Sequence, residues 1–326
     1  MLIIIKSPLQ IICAFEYLHA QQVPMADVSF IYLRKYSLSD VQIQHTFTFY
    51  GVNDYSIVRF GNSNIITILG FSVLSSKFFL LKLAAKLGQR ITDHFAKRSF
   101  FRLVKNKTRH TLVLGDPNFK LYEYLPGLIT NKNIVLLDDG LSSMVIKPDY
   151  RRNNNKVISF SFLRQQSDQA DECMVHSFPV IKSLSKLSIS NDLILFIGQP
   201  LYEANFVSIE EMESLFQSIA AMYPGKRFIY IAHRWERHIG SFKFPANFEI
   251  HTRQYLPLEL FISQFDPMPH LVLSFYSSAL ITLKKILPNS LVFSAFDIQE
   301  LIKMDNIQKG YEMIKSFGIP VVKLIK

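Results

Sequence analysis

Cysteine is almost absent from this 326-residue chain, with only Cys13 and Cys173, far apart and without metal-ligand spacing. That usage excludes a disulfide framework and a cysteine zinc site, and it fits a reducing compartment. Acidic residues are the minority charge, 26 Asp+Glu against 36 Lys+Arg, which leaves a formal net charge of +10. A basic surplus of this kind points to an anionic partner: nucleic acid, anionic lipid or a negatively charged substrate. Long apolar runs are missing too, since no stretch approaches the roughly 20 residues a membrane-spanning helix needs. No Gly-rich phosphate loop follows the first strand-like run, so a dinucleotide fingerprint is excluded.

What is present is apolar and aromatic. Hydrophobic residues make up 49% of the chain and charged residues 19%, with 28 Phe and 14 Tyr, a composition that excludes disorder and is long enough for two cores. The opening run Leu2 to Ile5 is too short, and lacks the basic leader, for a signal peptide. It reads as a first buried strand, and the chain as cytoplasmic or peripheral. Ser7 is placed to cap a helix from Leu9 to about Gln21, with Pro8 at its first position. Val28 to Leu33 and Tyr55 to Phe60 read as further strands, as do Thr111 to Leu114 and Asn133 to Leu137.

Residues 71–109 carry apolar positions at helical spacing and, between 77 and 109, ten basic residues against Asp93 alone. Such a segment is either a core-facing helix with a solvated face or a basic amphipathic helix on an anionic surface. Residues 147–157 read as a basic, Asn-rich loop, and 164–191 as a polar connection. The strand and helix alternation then restarts. Leu193 to Ile197 is a strand, Ser208 with Glu211 forms a capping box for a helix to about Tyr223, and Phe228 to Ala232 is a strand. Further strands are expected at Phe248 to His251, Leu271 to Phe275, Leu291 to Ser294 and Val321 to Ile325, with helices from Pro257 to about Phe265 and over 299–316. The expected fold is α/β with parallel sheets in two Rossmann-like domains, residues 1–180 and 181–326. A central cleft between them would make this the GT-B architecture.

The chemistry-bearing residues cluster at strand ends. Asp138 and Asp139 precede Gly140 at the end of an apolar strand; paired carboxylates raise one pKa and suit a general acid or base, though Asp-Gly also suits a plain turn. Gly198-Gln199-Pro200 ends the next domain's first strand. His233, Arg234, Glu236, Arg237 and His238 follow Phe228 to Ala232, around the single tryptophan, Trp235. Ser277 and Ser278 lie before a helix. In a parallel sheet these ends share one edge, where a histidine, an arginine and hydroxyls at a helix N-terminus suit a phosphate.

With those stretches in that order, the chain resembles the bacterial sialyltransferases of glycosyltransferase family 52 and their polysialyltransferase relatives. The matching pieces are Asp138-Asp139-Gly140, Gly198-Gln199-Pro200, His233-Arg234, Leu256-Pro257-Leu258-Glu259 and Phe275-Tyr276-Ser277-Ser278-Ala279-Leu280. The resemblance implies an inverting, metal-independent transferase that needs no cofactor and uses a CMP-activated acidic nine-carbon sugar. It implies an acceptor-side N-terminal domain and a CMP-binding C-terminal one. His233 would contact the donor phosphate and assist CMP departure as an acid, with Ser277 and Ser278 on the same phosphate. Gly198, Gln199, Pro200 and Leu256, Pro257, Leu258 and Glu259 would line the cytidine pocket, and Arg234 would be a second phosphate contact. Asp138 or Asp139 would deprotonate the acceptor. The chain departs from the pattern at Arg234, where the family has proline, and at Leu201, where some members carry an aspartate base; Glu203 could take that role. Glu236 reads as an ion-pair partner of an arginine.

The expected acceptor is a cell-surface glycan, such as lipooligosaccharide, O-antigen or capsule, free or lipid-linked, at the inner face of the plasma membrane. The 77–109 segment would touch that surface, and a homodimer is one expectation. Variants within the class would transfer Kdo, legionaminic or pseudaminic acid from CMP. The rival from another class is a non-catalytic basic α/β protein for nucleic acid or an anionic polymer; no nucleic-acid module or aromatic strand platform favours it.

Overall fold

The computed structural model describes residues 1–34, 40–59, 97–98, 100–105, 110–119, 122, 125, 132–138, 150–151, 154–163, 170–184, 188–252, 255–287, 291–298 and 305–324. The chain divides into two compact units, Met1–His176 and Ser177–Lys326.

Among the described residues, the first unit is a seven-stranded sheet. Its elements are β1 (Leu2–Ile5), α1 (Pro8–Ala20), β2 (Ser29–Arg34), α2 (Asp40–Phe49), β3 (Ser56–Arg59), β4 (Thr111–Leu114), β5 (Asn133–Leu136), β6 (Lys156–Ser161) and β7 (Glu172–Val175). The strand order is β3-β2-β1-β4-β5-β6-β7 and every pairing is parallel. Strand β1 is central and buried along its whole length, which is why it is an unbroken apolar run. The Ser7 cap forms as its sequence indicates: Ser7 Oγ accepts the Gln10 N–H, and the Gln10 side chain returns to the Ser7 backbone, with Pro8 at the first turn.

The second unit opens with α3 (Pro179–Leu184) and continues with β8 (Ile189–Ile197), α4 (Ile209–Met222), β9 (Arg227–Ile231), β10 (Phe248–His251), α5 (Leu258–Ile262), β11 (Met268–Ser274), α6 (Ala279–Ile286), β12 (Val292–Asp297), α7 (Asp305–Ser316) and β13 (Val321–Lys323). Its six strands run β10-β9-β8-β11-β12-β13, again all parallel. Helix α4 starts at the Ser208 and Glu211 capping box. Its apolar stripe (Met212, Leu215, Phe216, Ile219) is buried, and Phe216 stacks on Phe244 at 4.4 Å.

The α/β class and the parallel sheets match the sequence expectation. Several elements differ from it. Strand β6 occupies the end of the supposed basic loop, and β7 and α3 occupy the supposed connection at 164–191. Helix α2 has a weak stripe, with only Ile43, Thr46 and Phe47 buried, so its sequence carries little periodic signal. Most of the 71–109 segment lies outside the described residues. The described part, 97–98 and 100–105, is helical; Phe100 and Val104 are buried in the first unit's core while Lys97, Arg98, Arg102 and Lys105 face outward. For these residues the apolar stripe serves the core, not a membrane surface.

Candidate active site

The order in which the chain adds strands reverses between β8 and β11, the switch point at which open parallel sheets bind ligands beyond their strand ends. Ile197 is the register partner of both Ile231 on β9 and Ser274 on β11, so these three strands end level. Gly198-Gln199-Pro200, His233-Arg234 and Tyr276-Ser277-Ser278 therefore leave the sheet along one edge. Two bonds lock that edge: Ser274 Oγ donates to the Ile197 carbonyl at 2.8 Å, and the Tyr276 N–H donates to Gln199 Oε1 at 2.8 Å. Gln199 is thus a strap between the two strand ends at the switch point.

Gly198 is required by close approach. A Cβ there would collide with Glu236 Oε2 and would meet the Tyr230 hydroxyl at 2.5 Å. Glu236, 8% exposed, accepts from Tyr230 Oη at 2.6 Å through Oε1 and from the His233 N–H at 2.5 Å through Oε2. It is not the ion-pair partner of an arginine; its carboxyl knits β9 to the turn that follows. Burial pushes its pKa up to about 8, so it carries a proton near neutral pH.

His233 accepts the Trp235 N–H on Nδ1 at 3.2 Å, which leaves the ring proton on Nε2. Burial, with the Arg234 charge beside it, holds its pKa down at about 4. The unliganded imidazole is therefore a neutral Nε2–H donor rather than an imidazolium. Arg234 is exposed, and its charge also reaches Glu259, the buried carboxyl in the first turn of α5. Burial raises the Glu259 pKa, while its own backbone N–H and Arg234 oppose the shift. The Arg234 charge is therefore near enough to be felt at the first turn of α5. Ser277 Oγ accepts the Ala279 N–H at 3.2 Å, and the exposed Ser278 side chain makes no cap bond, so its hydroxyl is not consumed by α6. The helix start and Ser278 offer donors to an anion.

Glu203 is placed differently from a free base. Its Oε1 accepts the N–H groups of Arg237 and His238 at 2.7 and 3.0 Å and lies 3.4 Å from His238 Nδ1, while Oε2 is buried without a hydrogen-bond partner. It clamps the loop after β8 to the loop after β9. Asp138, in the first unit, is wholly buried: Ser161 Oγ donates to its oxygens at 2.8 and 2.9 Å and the Phe162 N–H donates at 2.7 Å. Asp139 and Gly140 lie outside the described residues. Among the described residues no group of three or more His, Cys, Asp or Glu could hold a metal ion, and no helix is long and apolar enough to cross a membrane.

A model of the alpha-2,8-polysialyltransferase family matches residues 148–295, a little under half of the chain. No curated protein matches. Among solved structures, the calicheamicin glycosyltransferase CalG4 superposes with a TM-score of 0.50 at 8% identity, over 99% of this chain and 85% of that one. The fold is GT-B. The MurG of Acinetobacter baumannii gives 0.48 at 8% identity, over 99% and 85% of the two chains, and the spinosyn rhamnosyltransferase SpnG gives 0.47 at 12%, over 98% and 85%. Family match and architecture together support a glycosyltransferase.

Within the GT-B frame, the family match spans Gly198, Gln199, Pro200, Glu203, His233, Arg234, Leu256 to Glu259, Ser277 and Ser278. Asp138 and Asp139 lie before it. Sequence reasoning missed Tyr230, which reads as one more apolar strand residue, and the Tyr276 backbone, which has no sequence signal at all. Glu236 was visible as a carboxylate three residues after His233. Only its depth of burial reveals what it does.

Proposed function

We propose that this protein transfers an acidic nine-carbon sugar, sialic acid in the first instance, from a CMP donor to a cell-surface glycan acceptor. The observation that carries the reading is the level ending of β9, β8 and β11, which aligns His233, Gln199 and the Ser277-Ser278 helix start on one edge inside the family-matched segment. The donor phosphate would sit against the His233 Nε2–H, the α6 start and Ser278. As the sugar–oxygen bond breaks, negative charge grows on the departing phosphate, and donors already aimed there stabilise it. The neutral imidazole cannot give up its Nε2 proton to a phosphate, so it would act by strengthening its Nε2–H hydrogen bond as the charge grows, not as the proton-donating acid first expected of it. Gln199 and the Leu256 to Glu259 turn would take the nucleoside, with Arg234 balancing charge between Glu259 and the phosphate.

The proton acceptor for the glycan hydroxyl is assigned to Asp139. Asp138 is enclosed by Ser161 and Phe162, and Glu203 has one oxygen committed to two backbone N–H groups and the other buried. The basic 77–109 segment would then guide a lipid-linked or anionic acceptor.

The test is a screen of CMP-activated acidic sugars with free CMP as the readout. CMP release from CMP-N-acetylneuraminate, enhanced by a glycan acceptor and lost in His233→Ala, is the expected result. Release from CMP-Kdo alone would move the donor assignment. No CMP binding, together with nucleic-acid binding of steep salt dependence, would overturn the transferase reading.

A further inference from the structure

Glu236 stands in none of the roles assigned to the donor site, yet three of that site's features converge on its carboxyl. Its Oε2 accepts the His233 N–H, its Oε1 accepts the Tyr230 hydroxyl at 2.6 Å, and its Oε2 fills the space left by the missing side chain of Gly198. The turn closes on itself as well, because the Glu236 N–H donates to the His233 carbonyl at 2.8 Å. His233 is thus gripped through both its N–H and its carbonyl by one residue, whose side chain is anchored in turn to β9. Three further bonds set the ring and the outer loop: Trp235 N–H on His233 Nδ1, and the N–H groups of Arg237 and His238 on Glu203 Oε1.

We propose that Glu236 is a positioning residue that fixes the His233 backbone so that the imidazole presents its Nε2–H to the donor phosphate. The proposal rests on the transferase reading for its catalytic consequence and on geometry alone for its structural one. The groups facing the Glu236 carboxyl are Tyr230 from β9, the His233 N–H from its own turn, and Glu203 from the loop after β8. The negative charge of Glu203 opposes ionisation of Glu236, and the Tyr230 and His233 bonds favour it. Burial outweighs those bonds and keeps the proton on. A neutral carboxyl accepts the His233 N–H on Oε2 and carries its proton on Oε1, so that the short Oε1 to Tyr230 Oη bond runs from Glu236 to Tyr230 in this form and from Tyr230 to Glu236 in the ionised one. Ionisation would place an uncompensated charge beneath the imidazole and beside Glu203, loosening the turn.

The experiment has two arms. In the first, the His233 imidazole is titrated by NMR in the donor-free protein. Wild type should titrate near the depressed value of about 4. In Glu236→Ala the released turn should expose the ring and move its titration toward the ordinary histidine range, while Glu236→Gln, which can still accept the His233 N–H, should keep it low. An unchanged His233 titration in Glu236→Ala would overturn the positioning role, whatever the protein's substrate.

In the second arm, turnover is followed against pH. Glu236→Ala should lower kcat by about a hundredfold with a smaller change in donor KM, the signature of an interaction needed in the transition state. Glu236→Gln should restore most of that loss. Wild type should lose rate as pH rises through about 8, the pKa of Glu236. That limb should vanish in Glu236→Gln, and in Tyr230→Phe it should move to higher pH, because the lost hydrogen bond favoured the ionised form. An alkaline limb retained in Glu236→Gln would exclude the protonated form as the active one. Absence of turnover in wild type would sink the transferase reading but leave the first arm to decide on Glu236.

Discussion

Gln199 Oε1 accepts the Tyr276 N–H at 2.8 Å, joining the end of β8 to the end of β11 at the switch point of the second sheet. The two residues are 77 positions apart in the chain, and Gln199 is buried. Replacing Gln199 by Ala leaves a part-buried N–H without its partner, which costs about 1 kcal/mol. The expected outcome is a lower melting temperature and CMP affinity reduced by about tenfold. Thermal melts and a CMP titration check both, and unchanged values in each would remove the strap.

Gly198→Ala is expected to be more damaging than its size suggests. The added methyl meets Tyr230 and Glu236, both buried and hydrogen-bonded to each other. Overpacking of this kind costs about 1–3 kcal/mol, and here it also pushes Glu236 away from His233. Denaturant midpoints and donor turnover should fall together. A stable variant with wild-type turnover would mean that the packing at Gly198 is slack.

Asp138 and Asp139 should separate cleanly. Asp138→Ala leaves Ser161 Oγ and the Phe162 N–H without their buried acceptor, a loss of about 1–3 kcal/mol that melting should register. Asp139→Ala should leave melting near wild type while reducing transfer by about 10²–10⁴-fold, as expected for loss of a general base. The reverse pattern would return the base to Asp138.

Acid should weaken the first unit through His176. Its ring stacks on Phe160 with centroids 4.3 Å apart, and burial lowers its pKa from 6.5 to about 3. Between those values the unfolded chain binds the proton and the folded chain does not. Stability is therefore complete above 6.5 and is lost as pH falls toward 3, by about 1 kcal/mol per pH unit. His176→Phe should flatten the pH dependence of unfolding across this window. An equal slope in the variant would place the acid sensitivity elsewhere.

The Ser7 cap and the Ser208 capping box were legible in the sequence because a cap is decided within four residues. The central strands were legible because parallel strands buried on both faces must be apolar throughout. The strand-end polar groups could be named in advance for the same reason: each interrupts such a run abruptly. Strand β7 could not, since it is only partly buried and reads as polar chain. Nor could the sequence rank its carboxylates. Asp138, Glu203 and Glu236 are equivalent as letters; one proves enclosed by β6, one spent on backbone N–H groups, and one buried and bonded to the His233 N–H. The run Phe228 to His238 by itself determined that a buried strand ends in titratable groups. Only the tertiary structure decided what each does, because ionisation and hydrogen bonding are set by neighbours that the strand register brings from distant parts of the chain.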